Sequence, residues 1–146
     1  MNHSANWYFD FISPFSYLQF KSFQRLPNSL DVHLVPILFA GLLNHWGQKG
    51  PAEIPAKRTD TYQYCHWYAE QHGIPFKTPP AHPFNPLNSL RLAIALNTTH
   101  EVVGLIFNYI WGEGKDAHTE EGFHQLTLEA NIPNANDLIS SASVKD

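Results

Sequence analysis

Ser13 is the residue with the clearest chemical promise, because of where the pattern around it places a hydroxyl. It lies in "WYFDFISPFSYL", residues 7–18, where an alternating aromatic run meets Ser-Pro-Phe-Ser and then a helical spacing. A hydroxyl at a helix N-terminus sits among unpaired backbone N–H groups and the positive end of the helix dipole, so an anion beside it is stabilised. A thiolate is such an anion: a free thiol titrates near ~8.5, and a few donors at such a position bring it into its ionised form at neutral pH. The plainer reading is that Ser13 only caps the helix. Ser16, one turn on, reads as an exposed helical serine.

Other residue types offer less. Lys57 and Arg58 follow "EIP" at a helix start, where they either bind a carboxylate or stand as solvated charges. The histidine pairs His66/His72 and His118/His124 are six apart, which is not a same-face spacing, and neither H-E-x-x-H nor C-x-x-C occurs, so nothing points to zinc. Cys65 is the single cysteine. It has no internal disulfide partner, cannot cycle a dithiol, and inside "YQYCHWY" reads as a small buried hydrophobe. "GQKGP" neither follows a strand directly nor carries the Lys-Ser/Thr tail of a phosphate loop. Four Trp, six Tyr and ten Phe either fill the core or partly line a pocket for a flat apolar ligand.

The elements that must position Ser13 follow from periodicity. Residues 6–11, "NWYFDF", predict a strand; Ser13 predicts an N-cap, with Pro14 at the first helical position, where its missing N–H costs nothing. Phe15, Tyr17, Leu18, Phe20, Phe23 and Leu26 recur at helical spacings, ending near "LPNS"; "DVHLVPIL", residues 31–38, is a second strand. Strand, helix, strand over this length predicts a right-handed βαβ unit with parallel strands. Four or five helices are expected after it, besides a short helical piece at "AGLLNHW": one over 56–72 stopped by Gly73 and Pro75, one opened by Asn85–Pro86, one capped by Thr98 with Glu101, one begun by Thr119, and one more started in "NIPNANDLISSAS". The proline-rich "FKTPPAHPFNP" should run over the surface in extended form. Two parallel strands alone make a poor sheet.

Composition bounds the rest. The 146 residues suit one domain-sized unit, 43% hydrophobic and 15% charged, with a net charge of −4 and no basic stripe. Nucleic acid is thereby disfavoured as a partner. No window reaches the ~18 apolar residues of a membrane span, and the N-terminus lacks a signal-peptide layout, so no membrane association and a cytoplasmic location are expected.

Taken in order, "YFDFISPFSYL", "VPILFAGLL", "GQKGPAEIPAKR", "GIPFKTPPAHPFNPLNSLRLA" and "IWGEGKD" resemble the 2-hydroxychromene-2-carboxylate isomerases and their relatives, the kappa-class glutathione transferases, over nearly the whole chain. The resemblance implies an α/β, thioredoxin-like fold of the DsbA type: residues 1–39 form the N-terminal βαβ part, and residues 40–146 a helical insertion. It further implies that S-x-x-S replaces the redox C-x-x-C, with Ser13 holding the thiolate of bound glutathione. The Ser-Pro pair then stands at the junction because the thiol comes from the ligand. The isomerase reaction so implied interconverts a cyclic hemiketal and an open benzylidenepyruvate in the breakdown of naphthalene-like aromatics, with glutathione as cofactor. Phe15 and Trp46 would wall the flat substrate, and Lys57 would face its carboxylate or contact glutathione. Gln48 stands where the transferases carry an asparagine. A homodimer is the implied assembly.

The family continues into a cis-proline strand, a further strand and a helix that complete its glutathione site, and these have no counterpart within the 146 residues. The isolated monomer of this length is therefore expected to bind glutathione weakly or not at all. Two rival readings stand beside the isomerase: a kappa-like transferase or peroxidase that consumes glutathione, and an inactive truncated binding module. A dithiol oxidoreductase is disfavoured because positions 13 and 16 are both serine.

Overall fold

The computed structural model describes residues 3–144; the expected domain ranges also take in residues 1, 2, 145 and 146, which lie outside that span. Strand β1 (His3–Phe9) pairs in parallel with β2 (Leu30–Pro36), from His3 opposite Leu30 to Phe9 opposite Pro36, as the βαβ reading requires. β1 ends two residues earlier than the pattern suggests. Beyond Phe9 the chain turns, because the Asp10 carboxylate accepts the Ile12 N–H at 3.1 Å and the Ser13 N–H returns to the Asp10 carbonyl at 3.1 Å.

Helix α1 (Pro14–Lys21) starts where Ser13 and Pro14 predict. It stops short of "LPNS": the Ser22 hydroxyl donates to the Leu18 carbonyl at 2.9 Å, and a 3-10 turn follows at Phe23–Arg25. A serine that offers its helix an alternative hydrogen bond favours such an ending.

Six helices follow β2 among the described residues, the expected short piece and five more. They are α2 (Phe39–His45), α3 (Pro55–His72), α4 (Leu87–Ala95), α5 (His100–Phe107), α6 (Glu120–Glu129) and α7 (Ala135–Ser140). Gly73, at φ +63, closes α3 in the left-handed conformation that a side chain would resist. The cap of α5 is Thr99, not Thr98. Thr98 itself takes a φ of +48 to finish the turn after α4, leaving the Thr99 hydroxyl to accept the Val102 N–H at 3.3 Å. The proline-rich segment also departs from expectation: Pro79, His82 and Pro86 are buried, and the Lys77 N–H bonds the Trp111 carbonyl at 2.7 Å. Its rigid, donor-poor backbone can pack inward because few N–H groups need partners there.

Helix α5 runs on into a π-helical turn at Asn108–Gly112, marked by the Glu113 N–H bonding the Asn108 carbonyl at 2.8 Å. Gly112 leaves room at this point for the Asn108 side chain and the Tyr17 hydroxyl. A Cβ there would lie 2.5 Å from Asn108 Oδ1 and 3.1 Å from the Tyr17 hydroxyl oxygen.

Much of the aromatic content joins these elements. Phe107 of α5 lies 4.8 Å from Phe11, 5.7 Å from Phe9 and 5.7 Å from Phe20 between ring centroids, so the strand end, α1 and α5 share one buried cluster. Each tilted or edge-on pair contributes ~0.5–1.5 kcal/mol beyond its buried area. The rigid cluster lies directly under the turn that carries Ser13.

Candidate functional site

The turn from Asp10 to Ser13 is held by atoms from three distant places in the chain, Phe39, His82 and Trp111. Asp10 is buried at 3% exposure; one carboxylate oxygen accepts the Ile12 N–H and the other the Phe39 N–H at 2.8 Å, which ties the start of α2 to the turn. Burial pushes this carboxyl up to about 6, against the opposing pull of backbone N–H donors from Phe39, Ile12 and Phe11. The Phe11 carbonyl accepts the Trp111 indole N–H at 2.8 Å, from the π-helical turn. His82 Nε2 bonds the Ile12 carbonyl at 2.8 Å, and His82 Nδ1 lies 2.6 Å from the Tyr62 hydroxyl of α3. Tyr17, buried in α1, donates its hydroxyl to the Pro75 carbonyl beyond α3.

Ser13 itself is half-buried and takes the extended N-cap conformation, φ −92 and ψ 114. Its Oγ accepts the Ser16 N–H at 3.2 Å. A hydroxyl that spends a lone pair this way keeps its own proton for donation. Tyr17 N–H returns to the Ser13 carbonyl at 3.2 Å, Pro14 has no N–H, and among the described residues the Phe15 N–H has no hydrogen-bond partner. The start of α1 thus offers two donors, the Ser13 O–H and the Phe15 N–H, at the positive end of a helix. That set suits a soft anion such as a thiolate.

The remaining residues singled out from sequence are placed as follows. Phe15 is 45% exposed beside Ser13 and meets Tyr64 of α3 at 5.8 Å, so α1 and α3 present a shared aromatic wall. Lys57 is exposed in the first turn of α3 and makes no ion pair among the described residues; its neighbour Arg58 lies over the Tyr62 ring at 5.7 Å. Trp46 follows α2 at 71% exposure and Gln48 is exposed in the loop beyond. Direct contacts therefore join Phe15 to α3, but none draws Trp46, Gln48 or Lys57 to Ser13 among the described residues. Ser16 is half-buried rather than exposed, because it faces the cap. Cys65 is fully buried, as expected, and burial pushes its thiol up to about 12.

An open cleft of about 920 Å³ lies between α4, α6 and α7, away from the turn, and is lined by Asn88, Phe123, His124 and Thr127 among others. No group of three or more metal-ligating side chains occurs among the described residues.

Asp10, Tyr62, His82 and Trp111 were not picked out from sequence. Asp10 did carry a signal, as an acidic residue inside an aromatic run; His82 and Trp111 lie in segments whose resemblance was noted but whose side chains have no local pattern that announces long-range contacts.

Comparisons with known proteins bear on the family and the fold. The DSBA-like thioredoxin domain family matches residues 6–146. Among curated proteins, glutathione S-transferase kappa 2 of Caenorhabditis elegans is 24% identical over 97% of this chain, and glutathione S-transferase kappa 1 of the same organism is 30% identical over 94%. The chain spans 70% and 66% of those relatives' own lengths. Among solved structures, a selenomethionine 2-hydroxychromene-2-carboxylate isomerase superposes with a TM-score of 0.75 at 22% identity, covering 97% of this chain and 73% of the other.

Proposed function

Because this chain belongs to the DSBA-like thioredoxin domain family, we propose that it works with glutathione, whose thiolate is held by Ser13. The observation that carries this reading is the hydroxyl cap at the strand-to-helix turn. Its O–H is left to donate, the Phe15 N–H is beside it in the chain, and no cysteine stands at position 13 or 16. The kappa-class relatives support glutathione as the thiol.

The specific reaction we propose is isomerisation of a 2-hydroxychromene-2-carboxylate, a cyclic hemiketal: its ring C–O bond breaks, the ring oxygen leaves as the phenol with the hemiketal hydroxyl's proton, and the hemiketal carbon becomes the ketone of a flat aromatic enone. The thiolate adds to the conjugated carbon, forming a C–S bond while the alkene electrons move onto the carbonyl oxygen. The former double bond is then single and rotates. Collapse of the enolate expels the thiolate and restores the alkene, so glutathione returns unchanged. Ser13 and the helix end stabilise the sulfur when it is anionic, before addition and after expulsion. Phe15 offers an aromatic face to the substrate, with Trp46 as a second wall; Lys57 is the cation for a carboxylate and Gln48 a polar contact for the glutathione backbone. The protein would act as a homodimer in the cytoplasm.

The kappa-like transferase is the second reading, favoured by the same relatives. Incubation with a benzylidenepyruvate and millimolar glutathione separates the two. The isomerase reading predicts conversion with the glutathione concentration unchanged at the end. Stoichiometric loss of glutathione into a conjugate would replace it with the transferase, and absence of both would retire each.

A further inference from the structure

The two peptide groups before Ser13 are each pinned at both ends. In the Phe11–Ile12 peptide, the carbonyl accepts from Trp111 and the N–H donates to the Asp10 carboxylate. In the Ile12–Ser13 peptide, the carbonyl accepts from His82 at 2.8 Å and the N–H donates to the Asp10 carbonyl at 3.1 Å. A peptide group is a rigid plane, so fixing its carbonyl and N–H fixes the N–Cα bond that leads into Ser13; with the Ser13 φ of −92 at the start of α1, the direction of its Cα–Cβ bond follows. Among the described residues, His82 is the one side chain that holds the carbonyl of that last plane, and it comes from 70 positions further along the chain.

The chemistry of the contact determines the ring's state. A carbonyl only accepts, so Nε2 carries the proton. His82 is 8% exposed and burial lowers its pKa, which keeps the ring neutral and leaves Nδ1 with a lone pair. The Tyr62 hydroxyl, 2.6 Å away, then donates to Nδ1. The Arg58 guanidinium over the Tyr62 ring adds a positive charge that further disfavours an imidazolium. Both ring nitrogens of His82 thereby have partners consistent with one tautomer.

We propose that His82 is a positioning residue for Ser13, acting through the Ile12 carbonyl, with Tyr62 holding the imidazole in the tautomer this requires. The geometry stands independently of the ligand; only its consequence for a bound thiol rests on the glutathione reading above.

The test uses wild type, His82→Phe, His82→Gln and Tyr62→Phe. The Ser16 N–H has Ser13 Oγ as its acceptor, so its hydrogen-exchange rate reports the Ser13 rotamer with no ligand present. His82→Phe should speed Ser16 exchange about tenfold, the value of one ordinary hydrogen bond, while the Val103 and Ile106 amides of the core stay protected. His82→Gln, which keeps a donor, should restore the rate, and Tyr62→Phe should give a smaller increase. Unchanged Ser16 exchange in a folded His82→Phe protein overturns the proposal. Should that variant not fold, the imidazole nitrogen-15 spectrum of the wild type decides: Nε2–H is expected at neutral pH, and Nδ1–H or an imidazolium overturns it. With glutathione present, His82→Phe should move the bound thiol's titration upward while leaving affinity for S-methylglutathione unchanged. Faster Ser16 exchange with an unmoved thiol titration also overturns the proposal. A wild type that never lowers the thiol's titration would instead retire the glutathione reading, and Ser16 exchange would still judge His82.

Discussion

Asp10 shows how one buried carboxylate both builds the turn and charges the fold for it. In the folded chain it titrates at about 6, above its ordinary 3.8, because burial disfavours the anion more than the N–H donors favour it. The folded state therefore holds this proton more tightly than the unfolded state does. The associated stability is fully present below about 3.8 and is lost as the pH rises through about 6, a difference worth about 3 kcal/mol. Asp10→Asn has no such proton, so its urea stability should depend less steeply on pH across that window, by an amount on the order of 3 kcal/mol; superimposable pH profiles for variant and wild type would contradict the assignment. At this scale the sequence was partly legible. Ser13 and Pro14 announce themselves by a local rule, cap followed by proline, which needs only neighbours a few residues away. His82 and Trp111 do not, because their partners at Ile12 and Phe11 are brought near only by the tertiary fold.

The elements differ in how far local rules reach. Cap signals located the starts of α1 and α6 well, Gly73 located the end of α3, and parallel pairing followed from the length of the crossover. Where a hydrogen bond from a side chain competes with the regular pattern, the boundary moved: Asp10 ends β1 early and Ser22 shortens α1. The π-helical turn at Asn108–Gly112 left no periodic trace, since one extra residue per turn over so short a run is invisible in hydropathy. Its consequence is mechanical, for it carries the indole that holds Phe11. Gly112→Ala should therefore cost about 1–3 kcal/mol, because the new Cβ must displace Asn108 or the buried Tyr17 hydroxyl. Urea denaturation reads the loss directly, and a variant as stable as wild type would show that the turn yields freely.

On the scale of the molecule, elements far apart in the chain are tied to one another at and around the turn before Ser13. α2 is tied by Phe39 to Asp10, α3 by Tyr62 through His82 to Ile12, α5 by Trp111 to Phe11, and α1 by Tyr17 to Pro75. Segments that the sequence presents as separate helices and a surface loop thus converge on three residues, Asp10, Phe11 and Ile12. No helix among the described residues is long and apolar enough to cross a membrane. The fold class could be read from motif order because strand, cap, helix and strand recur in sequence as they do in space, whereas this convergence depends on contacts made at long separation. The central claim is that Ser13 lowers the titration of a bound glutathione thiol, and the most direct measurement is the pH dependence of ultraviolet thiolate absorbance with millimolar glutathione, for wild type and Ser13→Ala. The account predicts a bound thiol ionised well below its ordinary ~8.5 in the wild type and returned towards that value in the variant, whose fold should lose only the ~1 kcal/mol of a missing cap. A thiol that titrates identically with both proteins would contradict it.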